Sequence, residues 1–310
     1  SIYRIWADKQ PIDPDHVGEI RLYYGDEDQD PDPLIQAVEG ADATPAFRGL
    51  AYVVLENLWL NPFGSRLPNF EVEVFRGSPA GSGDARHLIK SIWIPASGEW
   101  AYDTDVVRDL RRTGAAGAPG SGGAINRNTG QRRSDFRVAI DNLQREIPNV
   151  EWINLVYAWF GTSLDVATCS IRPEVEWHLN AWDTRETSPH IWSVMGLGRN
   201  AWPRVSTFTK PDGSTGLFYG GAIADGAVVR AIQHLKARGY KVLFYPFIMM
   251  DIPPPDPAPF PWRGRITGAA ADVPGFFTRS DGYLRFVRHC MDLCVQAGGV
   301  DAFAIGSEMR

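Results

Sequence analysis

Lys241-Val-Leu-Phe-Tyr-Pro-Phe-Ile-Met-Met250 carries one charge, at its first residue, followed by nine apolar or aromatic side chains. A run of this length with no polar alternation is a strand buried on both faces, and such strands belong to parallel sheets covered by helices. The residues just before it supply a helix. Asp225 opens it, Val228, Val229, Ile232 and Leu235 share one face, and Gly239 takes the position after the last turn, where a positive φ is easiest for glycine.

The same unit repeats on either side. Upstream, Ser134 is a fitting N-cap for a helix whose apolar face is Phe136, Ala139, Ile140, Leu143 and Ile147, stopped by Pro148. The apolar strand Trp152-Ile-Asn-Leu-Val-Tyr-Ala-Trp-Phe160 follows at once. Downstream, Ser280 or Asp281 opens a third helix that ends at Ala297 before Gly298-Gly299, and a strand follows over Asp301 to Gly306. Alternating helices and buried strands define an α/β domain of the (β/α) barrel type. A full barrel needs eight units and about 250 residues. The spacing here therefore predicts a partial, incomplete TIM-barrel-like domain over residues 134–310, the N-terminal part of a barrel in a longer parent chain. A long excursion at 161–220 interrupts it, in which Cys169-Ser-Ile-Arg and Ile191-Trp-Ser-Val-Met are expected to pair as a hairpin on the rim.

The first part of the chain has another period. Glu19-Ile-Arg-Leu-Tyr-Tyr24 and Asn69-Phe-Glu-Val-Glu-Val-Phe75 alternate, Ala51-Tyr-Val-Val-Leu55 is continuously apolar, and turn-forming clusters such as Asp30-Pro-Asp-Pro33 separate them. Residues 1–112 read as a β-rich segment that includes a further strand at Ile89-Lys-Ser-Ile-Trp-Ile94. Residues 113–133, opening on Gly114-Ala-Ala-Gly-Ala-Pro-Gly-Ser-Gly-Gly123, read as a Gly-rich linker.

Composition excludes several classes. The 310 residues carry a net charge of −6, so no basic surface suggests nucleic acid. No apolar run is long enough for a transmembrane helix, and Ser1-Ile-Tyr-Arg-Ile-Trp does not read as a secretory leader. Cys169, Cys290 and Cys294 lack metal-ligand spacing and read as buried apolar thiols, and the six histidines form no ligand pair, so neither metal nor cofactor is expected. The Gly-rich stretch lacks the Lys-Ser/Thr of a phosphate loop, and Gly306-Ser-Glu lacks the elbow of serine hydrolases.

Ligands of parallel α/β folds meet the C-terminal ends of the strands. By that rule Glu308 is the candidate general acid/base, while Trp159 and Asp251 are candidate substrate-binding residues, to which Tyr245, within the second strand, is added. Two carboxyl groups with aromatic rings nearby suit glycoside hydrolysis. A carbohydrate-binding surface built from Trp159, Trp182, Trp192 and Trp202 is a further alternative, as is a Glu308 that merely caps a helix or pairs with an arginine.

Two sets of motifs carry a resemblance. Asp32-Pro-Leu-Ile-Gln-Ala-Val-Glu-Gly, Pro45-Ala-Phe-Arg-Gly-Leu-Ala-Tyr-Val-Val-Leu-Glu and Phe63-Gly-Ser-Arg-Leu-Pro-Asn-Phe-Glu-Val-Glu-Val resemble the tail-hub segment of phage-tail and gene transfer agent host-specificity proteins. Tyr219-Gly-Gly-Ala, Lys241 to Pro253, Pro259-Phe-Pro-Trp-Arg-Gly-Arg-Ile-Thr and Gly298 to Arg310 are similar to the TIM-barrel-like domain of the very large gene transfer agent tail-tip protein, sometimes called megatron. The resemblance implies a baseplate or tail-tip hub, assembled in the bacterial cytoplasm. It implies a homotrimer around the tail axis, with other tail proteins as partners and a host-surface or cell-wall polysaccharide as target. Ile-Gly-Ser-Glu also resembles the fourth-strand motif of retaining barrel glycosidases, which implies the acid/base role for Glu308. Their nucleophile lies several strands later, so enzyme activity is left open.

Overall fold

The computed structural model describes residues 2–13, 16–74, 85–95, 98–108, 123–129, 131–179, 190–252 and 265–306. Its N-terminal part holds β1 (Ile2–Ala7), β2 (Gln10–Pro11), β3 (Glu19–Tyr23), helix α1 (Pro33–Glu39), β4 (Tyr52–Glu56) and β5 (Phe70–Val74). All pairing here is antiparallel, as β2-β1-β5 and β3-β4. The cluster read as a turn at Asp30 to Pro33 in fact starts α1. Asp32 is its N-cap and accepts from the Leu34 and Ile35 amides, while Pro33, which has no amide hydrogen to leave unpaired, sits in the first turn.

The rest comprises α2 (Ala85–Leu88), β6 (Ser91–Pro95), α3 (Asp135–Glu146), β7 (Trp152–Gly161), β8 (Ile171–Arg172), β9 (Ser193–Val194), β10 (Leu197–Gly198), β11 (Thr207–Thr209) and β12 (Thr215–Leu217). It continues through α4 (Asp225–Ala237), β13 (Lys241–Met250), α5 (Val273–Thr278), α6 (Tyr283–Gln296) and β14 (Ala302–Phe303). Strands β14, β13, β7 and β6 lie side by side and parallel, and β8 adds antiparallel to the end of β7. The protein is thus mixed α/β with a parallel sheet, and no closed barrel is present among the described residues.

Two sequence expectations need correction. Strand β6, placed by sequence in the N-terminal β-rich segment, pairs in register with β7 from Ser91↔Trp152 to Pro95↔Val156 and belongs to the parallel sheet. The two excursion segments do not form one hairpin: Ile171–Arg172 pairs with β7, and β9 pairs with β10 across Met195-Gly196. Local turns won over the longer pairing because Met195 and Gly196 both take positive φ, 54° and 72°, as a two-residue hairpin turn requires. Part of the segment read as linker is packed: Asn126 is buried, accepts from the Val107 amide and donates to the Asp105 carbonyl.

The strands have unequal faces. Along β13, Val242, Phe244, Pro246, Ile248 and Met250 are buried, while the residues between them are half-buried. Tyr157 and Trp159 of β7 lie with Phe244 on the side covered by α6, where Phe286 and His289 meet their rings. One apolar cluster joins this sheet to α3, α4 and α6, and includes Cys169, Cys290 and Cys294 as buried thiols. Among the described residues no helix is long and apolar enough to cross a membrane.

Candidate functional site

Parallel alignment brings the C-terminal ends of β7 and β13 together, with Gly161 opposite Met250. A side chain at Gly161 would have its Cβ 2.8 Å from the Met250 sulfur, so the glycine leaves the end of the Met250 side chain its place across the two strand ends. Asp251 is the next residue. Its amide donates to the Gly161 carbonyl at 3.1 Å, and its Oδ2 accepts from the Ser206 amide at 2.7 Å.

Glu174, two residues beyond β8, is carried to the same place. Its carbonyl accepts from the Ala222 amide at 2.7 Å and its Oε1 from Arg172 Nε at 3.1 Å. Both carboxyl groups are buried. Among the described residues no donor reaches Glu174 Oε2 or Asp251 Oδ1, and the two carboxyl groups are neighbours. Burial first, and the neighbouring Asp251 carboxyl next, push the Glu174 carboxyl up to about 9. Glu174 therefore keeps its proton at neutral pH. Tyr219 closes this mouth: its hydroxyl donates to the Met250 carbonyl at 3.1 Å, its ring lies 5.6 Å from that of Phe160, and burial with the Asp251 charge raises its pKa.

A second buried carboxylate stands beside it. Glu99, in the loop after β6, pairs with Arg199, and both are almost fully buried. Its Oε1 accepts from the Glu176 amide at 2.8 Å, and a Cβ at Gly221 would come within 2.8 Å of its Cγ. The Arg199 guanidinium lies 3.8 Å from the Trp177 ring centre and 5.3 Å from that of Trp192. Burial raises the Glu99 carboxyl to about 7, with Arg199 opposing the rise and Glu176 adding to it. Glu99 and Asp251 thus bind the excursion down onto the ends of three parallel strands.

The residues singled out from sequence are dispersed. Asp251 is at the mouth. Tyr245 lies six positions earlier, roughly 20 Å away along an extended strand, on the sheet face that no helix covers among the described residues, its ring 4.7 Å from that of Trp93. Trp159 is fully buried beneath α6, donates from Nε1 to the Tyr157 hydroxyl at 3.0 Å and stacks on Phe286. It touches no rim, because successive residues of a strand face opposite sides and Trp159 is on the helix side. Trp192 is likewise buried, its Nε1 donating to the Ala222 carbonyl, so Trp159 and Trp192 form no exposed sugar-stacking surface. Glu308 and Trp182 lie outside the described residues.

Sequence reasoning missed Glu174, Glu99 and Arg199. Glu99 was findable: it stands four residues after β6, and placing that strand in the parallel sheet would have put it on the rim. Glu174 and Arg199 have no local signal, since only the folding of the excursion brings them in.

Among the described residues one group has the donor types of a metal site, Asp103, Asp105 and His190, with ligand atoms within 4.8 Å of one another. Arg230 binds both oxygens of the buried Asp103, by Nε to Oδ1 at 2.9 Å and by Nη2 to Oδ2. An arginine already occupies the charge-balancing place of a cation there.

Residues 281–310 match the family model of the GTA TIM-barrel-like domain. This part of the chain, from just before α6 through β14, is related to gene transfer agent proteins, and the match agrees with the parallel α/β arrangement found there. A chain in the solved structure described as "Virion of native gene transfer agent (GTA) particle" is 52% identical over 26% of this chain and 18% of that chain, with a TM-score of 0.24. The protein therefore spans less than a fifth of that chain's length. No curated protein matches.

Proposed function

We propose that this chain is part of a structural baseplate or tail-tip hub protein of a gene transfer agent or tailed-phage particle, with a barrel-type module set behind a β-rich hub segment. The observation that carries the proposal is the match of residues 281–310 to the GTA TIM-barrel-like domain, in a chain whose parallel strands are ordered as in a partial barrel. The hub motifs between Asp32 and Val74, with other tail proteins as neighbours and a trimer about the tail axis, complete it. The test is fractionation of particles from a producing strain. The parent protein is expected to co-sediment with intact particles, in a copy number divisible by three, and antibody against residues 2–74 to label the tail tip. A parent protein that sediments free of particles would overturn the reading.

One observation favours a second reading, hydrolysis of a cell-wall or surface polysaccharide. Asp251 and a Glu174 whose carboxyl burial raises to about 9 put carboxyl groups at the strand ends, where barrel enzymes carry their catalytic residues. In this reading Glu308 supplies the acid/base and Asp251 contacts the sugar, while Tyr245, roughly 20 Å along the strand, meets a more distant unit of the polysaccharide. Release of reducing ends from peptidoglycan or capsule by the parent protein, lost in Glu308→Gln and in Asp251→Asn, is the expected result. Equal release by wild type and both variants would exclude it.

A further inference from the structure

On the outer side of the sheet a groove of about 860 Å³ runs between the β9–β10 turn, the start of α4 and the outer face of α6. Three arginines line it: Arg279, Arg285 and Arg288. Arg285 is half-buried, and among the described residues no carboxylate pairs with it. Its Nη2 donates to the Ile171 carbonyl, its guanidinium lies 5.6 Å and 5.9 Å from the ring centres of Trp159 and Trp202, and its Nε is buried with no acceptor among the described residues. Burial also lowers its pKa, with the charge of Asp281 opposing the shift. Arg279 donates Nη1 to the Ala167 carbonyl at 2.8 Å and approaches Asp281 at 3.3 Å, while its Nη2 has no partner. Arg288, one turn beyond Arg285, is exposed.

The nearby carboxylates leave these donors unmatched. Asp225 accepts from the Met195 amide and meets His289 Nε2, both at 2.9 Å, so each of its oxygens is occupied. Asp281 is hydrogen-bonded by the Ser170 hydroxyl as well as facing Arg279. Asp292, one turn past Arg288, is the remaining acid of the lining. A planar guanidinium that no carboxylate binds directly, as in half-buried Arg285 and exposed Arg288, is suited to carboxylate or phosphate oxygens. The groove is far larger than a bare anion, and its other walls alternate the hydroxyls of Ser193, Thr278 and Ser280 with the apolar Met195 and Leu284. Hydroxyls beside apolar patches match the mixed faces of a sugar ring.

We propose that this groove binds an anionic saccharide, its carboxylate or phosphate seated on Arg285 between Arg279 and Arg288, with the ring against the β9–β10 turn. The site is separate from the carboxyl pair at the strand mouth, and it stands whether or not the particle or hydrolase readings hold. The test is calorimetric titration of the full chain at low ionic strength with glucuronate, glucose 6-phosphate, glucose and inorganic phosphate. At least one charged sugar is expected to bind about tenfold or more tightly than glucose and than inorganic phosphate. Preference for glucuronate assigns a carboxylate ligand, and preference for glucose 6-phosphate assigns a phosphate. Arg285→Gln is expected to lower that affinity about tenfold or more, and Arg288→Gln about threefold with unchanged thermal unfolding. Should Arg285→Gln not fold, the Arg288→Gln comparison and the loss of affinity with added salt decide. Equal binding of charged and neutral sugars, binding of phosphate alone, no binding, or wild-type affinity in the folded variants would overturn the proposal.

Discussion

The antiparallel sheets of residues 2–74 share a small cluster of buried apolar residues, Ile2, Ile5, Ile12 and Val17, whereas the parallel sheet and its helices share one that extends from Trp100 to Ala297. The small region leaves Val38, Leu67, Val74, Leu50 and Trp59 more than half exposed. What orders it is polar. Asp32, fully buried, receives Arg21 Nε and the Tyr23 hydroxyl, each at 2.7 Å, besides capping α1, and Arg21 also reaches Glu19 and Glu56. The large region does the reverse: aromatic rings fill the interface of sheet and helices, and buried carboxyl groups such as Glu174 and Asp251 lie near the strand ends. The difference teaches that one chain can be held by packing in one part and by a charged node in another, with opposite sensitivities.

The largest expected effect tests whether the two cores are independent. Trp159→Ala should cost roughly 3–5 kcal/mol, because it empties a fully buried site under α6. Ile5→Ala, in the small cluster, should cost roughly 2–4 kcal/mol but act on a separate unfolding transition. Denaturant melts followed by tryptophan fluorescence and by far-UV dichroism would separate them. If both variants shift a single shared transition, the regions unfold as one unit and the contrast fails.

Next is the buried Glu99–Arg199 pair. Arg199→Met strands a carboxylate whose residue is 3% exposed, at a cost on the order of 3 kcal/mol. The double variant with Glu99→Gln should recover part of that loss, since no buried charge is then left unpaired. A double variant no more stable than Arg199→Met alone would show that Glu99 is not ionised in the folded protein.

The two regions should also respond to pH with opposite sign. Burial works to raise the Asp32 carboxyl, but its bonds from Arg21 and Tyr23 prevail and hold it at about 2, below its ordinary 3.8. Its contribution is full above pH 3.8 and is lost as pH falls towards 2. Glu174 is raised instead, from 4.5 to about 9, so the folded state keeps a proton that the unfolded chain releases. Stability therefore falls as pH rises through that interval, by up to roughly 1.4 kcal/mol per pH unit. Glu99 has the same sign but ends at about 7, which leaves the interval from 7 to 9 to Glu174. Glu174→Gln should flatten the decline between pH 7 and 9, and Asp32→Asn should remove the acid sensitivity of the N-terminal region. Chemical denaturation at stepped pH measures both, and an unchanged slope in Glu174→Gln would exclude a protonated Glu174 in the folded state.

Much of the large region was legible because period, capping and strand order agree. Ser134 caps α3 and accepts from the Arg137 amide, α4 begins at Asp225, Gly239 has φ of 83°, and β13 spans Lys241 to Met250 as its apolar run predicts. What failed depended on contacts between distant segments. Strand β6 is five residues long with alternating exposure, so it reads as an antiparallel strand until β7 is placed beside it. Trp159 was chosen by its position at a strand end, but the face it occupies is set by the register against α6. The carboxyl pair was half legible: Asp251 follows an obvious strand, whereas Glu174 arrives from an excursion whose course is fixed by single bonds such as Ala222 to Glu174.

The smallest effect sharpens the contrast within the large region itself. Trp93 is 51% exposed on the sheet face that no helix covers among the described residues and touches Tyr245 edge-on, so Trp93→Ala should cost under about 1 kcal/mol, against several for Trp159 on the other face. The two tryptophans sit on neighbouring strands of one sheet and differ chiefly in what covers them. Measured in the parent protein rather than in this chain, the same substitution tests for a cover over that face. A cost there comparable to that of Trp159→Ala would mean that further chain packs on Trp93 and Tyr245, while an unchanged small cost would mean that the face meets water and that Tyr245 is free to meet a ligand.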